Sequence, residues 1–161
     1  MEFHSTLFHR RSVRLYSGEA VNIYDLRSIL TAGLAAPSSR GKRPLDFYVI
    51  RDRSLLHTLS ESKAAGAAML DKADCTIAIA GDMRKSDVWL EDAAIAGGYM
   101  LLAAADCNVG ACWVQLRLRT DAMGRPSDEL VRETLGLSTH QQVAMLIALG
   151  IPASAPGHHS P

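Results

Sequence analysis

The stretch AAIAGGYMLLAAA, residues 93–105, is apolar on every face of the helix that it predicts. Ser86 is expected to cap this helix, which runs to about Asp106. Its 13 apolar residues are too few to span a bilayer, and a chain of 161 residues has little interior in which to bury a whole helix. The pattern therefore favours a subunit interface, with Gly97 and Gly98 admitting another backbone. A central core helix in a monomer is the alternative.

Helical and strand patterns on both sides of this helix predict a single α+β domain over residues 1–152 and a polar tail over residues 153–161. Two of the other predicted helices cover residues 5–9, with Ser5 as the cap, and residues 23–35, with Asn22 as the cap. A third helical region, which could be interrupted, starts at Ser54 and extends to residue 72, and a fourth helix covers residues 127–135 and ends before Gly136. The predicted strands cover residues 45–52, 75–81, 111–118 and 142–150.

The charge balance excludes several classes of partner. Acidic and basic residues number 17 each, so no overall positive field favours nucleic acid. The first residues lack the apolar core of a signal peptide, and no membrane contact is predicted. Cys75, Cys107 and Cys112 have neither CxxC nor metal-binding spacing. They are expected to be reduced core residues of a cytoplasmic protein without a metal. His158 and His159 in the polar tail are the alternative metal ligands.

Two basic islands stand out against this neutral background. The first is HRRSVR, residues 9–14, in which an extended backbone would point Arg10, Ser12 and Arg14 the same way. Two guanidinium groups and a hydroxyl suit a phosphate and a polarised carbonyl. The second is APSSRGKRP, residues 36–44, which mixes hydroxyls and cations around a glycine. The islands predict a small anionic ligand, and two solvated charged loops are the alternative.

Four segments, taken in order, resemble the FMN-dependent nitroreductase family. They are RRSVR, APSSRGKRPLDFYVI, SDVWLEDAAIAGGYMLLAAADCNVGACWVQLR and VRETLGLSTHQQVAMLIALGIP. The similarity covers about residues 7–152. The resemblance implies a three-layer α-β-α sandwich with a central mixed β-sheet. It also implies an intertwined homodimer with two FMN molecules at the subunit interface, which agrees with the separate argument from residues 93–105.

The resemblance also implies which residues bind FMN. Arg10, Arg11, Ser12 and Arg14 match the N-terminal FMN motif, with Arg10 near the phosphate and Arg14 facing the pyrimidine edge of the flavin. The segment that the other subunit would contribute contains Pro37, Ser38, Ser39 and Gly41. The segment whose backbone would follow the reactive side of the flavin contains Ala111, Cys112 and Trp113. No catalytic acid or base is expected, because the flavin carries the chemistry.

The implied activity is hydride transfer from NADH or NADPH, through FMN, to nitroaromatic, quinone or similar small-molecule acceptors. The sequence departs from many relatives at Gly41, where they have asparagine. It also has no Lys or Arg after Pro152, where many members hold the phosphate with a cation. An FMN-binding protein without turnover, acting as a carrier, a sensor or a degenerate homologue, is therefore the alternative function.

Overall fold

A computed structural model describes residues 2–157. In chain order, the helices are α1 (Phe3–His9), α2 (Ile23–Ala35), α3 (Arg53–Ser60), α4 (Trp89–Asp106) and α5 (Ser127–Thr134). The strands are β1 (Leu45–Ile50), β2 (Cys75–Asp82), β3 (Gly110–Gln115) and β4 (Gln141–Gly150). Short 3₁₀ turns cover Ser39–Gly41 and Ala68–Asp71. The candidate metal ligands His158 and His159 lie outside the described residues.

The four strands form one sheet in the order β1-β2-β4-β3, and each neighbouring pair is antiparallel. The mixed character expected of the sheet is confined, in the described residues, to a single parallel bridge between Ser12 and Ala111. β2 is buried along its whole length, because it lies between two strands and beneath helices on both faces. β3 is an edge strand, and this position determines the candidate site.

Hydrophobic residues on alternate strand positions divide the interior into two cores. Ile77, Ile79 and Ile147 face α2 and α4, whereas Ala78 and Leu146 face α3 and α5. This alternation follows the two-residue repeat of a strand, which sends neighbouring side chains to opposite faces. Helices therefore cover both faces of the sheet, and the three-layer α-β-α prediction is confirmed.

Helix starts were predicted with mixed success. The Asn22 prediction is correct, because its Oδ1 accepts a hydrogen bond from the Tyr24 amide at 2.8 Å. The Ser54 prediction is wrong, since Asp52 Oδ1 accepts from the Leu55 amide at 2.9 Å and α3 ends at Ser60. The Ser5 prediction is wrong as well, because α1 begins at Phe3, behind Glu2.

The start of α4 also differs from the prediction. Ser86 Oγ accepts from the Val88 amide at 3.3 Å, and the helix begins at Trp89. Ser86 therefore organises the turn that precedes the helix and does not cap the helix itself.

Within a single chain α4 is buried on one side only, and burial of its other side in a subunit interface stays a prediction. Met100 and Ala96 are fully buried, whereas Ile95 and Tyr99 remain 42% and 43% exposed. Gly97 is explained within one chain, because a β-carbon there would lie 2.8 Å from the Trp113 ring. A β-carbon on Gly98 would meet nothing within 4 Å. Among residues 2–157, no helix is long and apolar enough to cross a membrane.

Candidate functional site

The first basic island continues into an extended arm that lies against the outer edge of the sheet. The Val13 amide donates to the Ala111 carbonyl at 2.9 Å, and the Ser17 amide donates to the Ile151 carbonyl at 2.8 Å. The Ala153 amide donates back to Leu15 at 3.0 Å. The start of the predicted tail is therefore part of this contact. Residues 12–17 are held between β3 and the chain that follows β4.

Two glycines let the arm approach the sheet closely. A β-carbon at Gly110 would lie 2.8 Å from Val13 Cγ1, and one at Gly150 would lie 2.6 Å from the Tyr16 ring. The Tyr16 hydroxyl donates to the Val13 carbonyl at 2.9 Å, and burial raises the pKa of Tyr16. Since Val13 packs inward, the extended backbone turns Ser12 and Arg14 outward together, as the alternation predicted.

β3 offers backbone groups at its free edge. The Ala111 carbonyl points to this edge, because it accepts from the arm and not from β4. Backbone groups two residues apart along a strand point the same way, so the N–H and C=O groups of Trp113 and Gln115 share the edge. No further strand within residues 2–157 pairs with this part of β3.

The three predicted β3 residues do not share a side-chain environment. Ala111 and Trp113 face the α2 and α4 core, whereas Cys112 belongs to the core beneath α3 and α5. Only their backbone can act together, as the resemblance implies. The Trp113 indole N–H donates to Gln115 Oε1 at 2.9 Å, which fixes the ring on the face of Gly97.

Cys112 is 1% exposed, and burial raises its thiol pKa above the ordinary value, with Arg14 and Lys63 opposing that rise. The thiol is therefore protonated near neutral pH and is not a nucleophile. The opposing effects place two cations near Cys112, although only Arg14 was predicted. Burial and nearby Arg119 lower the pKa of Lys63 itself. No sequence pattern marks Lys63, because it lies in an irregular loop after α3.

The second island forms a tightly bonded loop, residues 38–43, here named the basic loop. The Gly41 amide donates to the Ser38 carbonyl at 3.0 Å, and the Arg43 amide donates to Ser38 Oγ at 3.0 Å. Arg40, Gly41 and Arg43 have positive φ angles of 53°, 64° and 47°. A non-glycine residue in this region costs roughly 1–2 kcal/mol, so the local bonds must hold the shape.

Asp92 anchors the basic loop to the first turn of α4. Its Oδ1 accepts from the Ser39 amide at 2.9 Å, and the side chain is 4% exposed. Its Oδ2 is buried without a hydrogen-bond partner among the described residues. Asp92 and Glu91 both lie in the first turn of α4, where an acidic side chain stabilises the helix dipole. That account suits the exposed Glu91 and misses the contact between Asp92 and the loop.

The two islands lie at opposite ends of α4 within one chain. The basic loop is attached at Asp92, whereas Arg10 and Arg11 line a small groove with Leu101 and Ala105. Residues 92 and 105 of one helix are separated by roughly 20 Å, at 1.5 Å per residue. The structure therefore brings Arg14, Ser12 and the β3 edge together and leaves Pro37, Ser38, Ser39 and Gly41 apart from them.

This arrangement defines a class of protein: an α-β-α sandwich whose open sheet edge and arginine-bearing arm suit an anionic, planar ligand. The sequence profile described as "Nitroreductase family" matches residues 7–66 and 54–151, and the chain belongs to that family. The resemblance stated from the sequence is confirmed.

Solved structures and relatives agree with the family assignment. An FMN-dependent nitroreductase from Clostridium difficile is 35% identical, with a TM-score of 0.93 over 98% of this chain and 91% of that one. A nitroreductase from Desulfovibrio desulfuricans, solved in complex with FMN, is 26% identical, with a TM-score of 0.83 over 100% and 92%. A protein of Archaeoglobus fulgidus, named as an NADH dehydrogenase/NAD(P)H nitroreductase, is 33% identical over 91% of this chain and 83% of its own length.

Proposed function

We propose that the protein is an FMN-dependent oxidoreductase that transfers hydride from NADH or NADPH to nitroaromatic, quinone or similar acceptors. The observation that carries the proposal is the arm of residues 12–17, held beside the free edge of β3 with Arg14 turned outward. The described part of the chain fits FMN, because it offers cations for an anionic ligand and strand N–H groups for the edge of a flat ring. The comparisons support the cofactor and the class of reaction.

Each predicted residue has a role in this proposal. When bound, FMN would supply the hydride chemistry, accepting from the nicotinamide and donating to the acceptor. Arg10 would hold the phosphate, with Arg11 and Ser12 beside it. Arg14, together with Lys63, would place positive charge at the pyrimidine edge, where reduction adds negative charge. The backbone of Ala111, Cys112 and Trp113 would lie along the ring.

A homodimer is part of the proposal, because one chain does not complete the site. The basic loop, with Ser38, Ser39 and Gly41, would reach the cofactor of the partner subunit together with Pro37, which precedes it. The separation of the two islands along α4 supports this assignment, as does the exposed apolar face of that helix. We also propose a cytoplasmic location, which the free Cys75, Cys107 and Cys112 support. The domain limits, residues 1–152 with a tail, stay a prediction.

The visible spectrum of the purified protein tests the central claim. We expect one FMN per chain, identified by chromatography after release, and bleaching of the bound flavin when NADH or NADPH is added without oxygen. Bound FMN that neither donor bleaches would support the alternative, an FMN-binding protein without turnover. A colourless protein that also fails to take up added FMN would contradict the cofactor assignment.

Two arginine variants should distinguish an effect on FMN affinity from an effect on the reduction potential of the bound flavin. Arg10→Ala removes a charge-assisted contact with phosphate, so FMN affinity should fall roughly 10-fold or more. Arg14→Ala should instead lower the reduction potential of the bound flavin, because negative charge on the reduced ring loses a cation. Affinity by fluorescence titration and potential by dye equilibration measure the two effects. Unchanged affinity in Arg10→Ala would remove its phosphate assignment.

A further inference from the structure

The basic loop carries three cations that form no ion pair with an acidic residue of the described chain. These cations, Arg40, Lys42 and Arg43, are exposed. Elsewhere, cations such as Arg51 and Arg84 are paired with carboxylates. The protein has zero formal net charge, so this concentration of unpaired positive charge is local.

The backbone of the loop is fixed while these side chains remain free to bind. Besides the bonds already described, the Lys42 amide donates to the Ser39 carbonyl at 3.1 Å. Arg40 and Arg43 keep left-handed φ angles without being glycine. Strain of this kind persists only where surrounding contacts enforce it, and it concentrates at functional sites. The loop is therefore preorganised, which reduces the entropy lost when a ligand binds.

A neighbouring loop carries one more exposed cation, Lys85. The Asp82 amide donates to the Pro44 carbonyl at 2.9 Å, which places residues 82–86 beside the basic loop. Asp82 holds the Arg84 guanidinium through both carboxylate oxygens, so the charge of Arg84 is already satisfied. Lys85 is exposed and has no such pair in the described chain. Asp92 is buried, and its carboxylate accepts from the Ser39 amide.

We propose that Arg40 and Lys42, supported by Arg43 and Lys85, bind the phosphate groups of the nicotinamide donor at the partner subunit's flavin. This inference rests on the proposed function, which puts the backbone of the same loop against that cofactor. In the proposed function, Arg10 holds the single phosphate of FMN. In the proposed dimer, the cations of the loop would add charge at the mouth of the site. A donor dinucleotide brings a diphosphate, and NADPH brings a further phosphate, so both suit such a surface.

The test uses the FMN-loaded protein and a charge-matched pair of double variants. Arg40→Gln/Lys42→Gln removes two charges from the loop, whereas Lys72→Gln/Arg125→Gln removes two exposed charges from the opposite helical layer. We expect the KM for NADPH to rise roughly 10-fold in the loop variant, with kcat and FMN content retained. The control variant should leave all three unchanged. Added salt should raise the KM of the wild-type protein more than that of the loop variant.

The two donors identify which phosphate the loop contacts. A rise in KM for NADPH alone assigns the loop to the 2′-phosphate, and an equal rise for NADH assigns it to the diphosphate. Unchanged KM for both donors overturns the proposal, as does a loss of FMN without a change in donor affinity. If bound flavin is not reduced at all, the proposed function fails. Titration of NADP⁺ into the FMN-loaded protein then tests the role of the loop separately. Loss of NADP⁺ binding in the loop variant supports the proposal, and retained binding overturns it.

Discussion

Replacing Tyr99 with aspartate is expected to convert the proposed dimer into monomers that no longer retain FMN. Tyr99 lies on the exposed face of α4, in one stripe with Ile95 and Leu102 at helical spacing. A groove of about 460 Å³ beside it is lined by Phe3 of α1 and Leu102. An apolar surface of this kind marks an interaction site, and a carboxylate buried there would have to lose its hydration without a partner.

Loss of the cofactor follows from the geometry of the two islands. A monomer keeps Arg10 and Arg14 but has no basic loop within reach of them, because its own loop lies at the far end of α4. Light scattering should report half the mass, and the ratio of flavin to protein absorbance should fall toward zero. Met123→Asp, at an exposed apolar residue of the opposite layer, should remain a yellow dimer. A Tyr99→Asp monomer that retains FMN would show that one chain suffices for the site.

The layers and most elements could be predicted from the sequence because they follow from local periodicity. The apolar spacing of residues 23–35 and the Asn22 cap depend on neighbours within one turn, and the structure agrees with both. The helix start at Ser54 failed because another side chain competed nearby, whereas α1 begins behind Glu2 without a side-chain cap. Asp52 is the better cap because its carboxylate reaches the Leu55 amide, and the sequence offered both candidates two residues apart.

The site was predictable only where residues lie close in sequence or match a family segment. The arm from Arg10 to Arg14 satisfied both conditions. Lys63 and Asp92 satisfied neither, because each acts on a residue that only the fold brings near. Lys63, in the loop after α3, opposes the rise in the pKa of Cys112 through its charge, and the Asp92 carboxylate accepts from the Ser39 amide across 53 residues. For the same reason, Gly97 was explained from the sequence by the close approach of another backbone. No residue near Gly97 in sequence indicates that the Trp113 ring packs against it.

Replacing Asp92 with alanine should weaken FMN binding strongly while the fold persists. The variant leaves the Ser39 amide without its buried acceptor, so the strained basic loop loses its attachment to α4. A hydrogen bond to a charged group contributes about 1.5–3 kcal/mol, which corresponds to a roughly 10- to 100-fold loss of FMN affinity if the loop holds the partner's cofactor. Fluorescence titration measures this loss.

The stability of the Asp92→Ala variant should fall less than its affinity for FMN, because only one of the two Asp92 carboxylate oxygens accepts a hydrogen bond in the described residues. Its Oδ2 is buried without a partner in the described residues, and such a group costs free energy in the folded state. Removing it offsets the lost bond to Ser39, so the free energy of unfolding should change less than the free energy of FMN binding.

Two further variants serve as controls. Asp92→Asn keeps an acceptor for the Ser39 amide and should restore most of the FMN affinity. Glu91→Ala, at the exposed neighbour, should resemble the wild type. Equal losses of stability and affinity in Asp92→Ala, with no rescue by asparagine, would reduce Asp92 to a general packing role. A selective and rescued loss of affinity would identify it as the positioning residue through which α4, the helix of the proposed interface, holds the loop in shape for the partner's site.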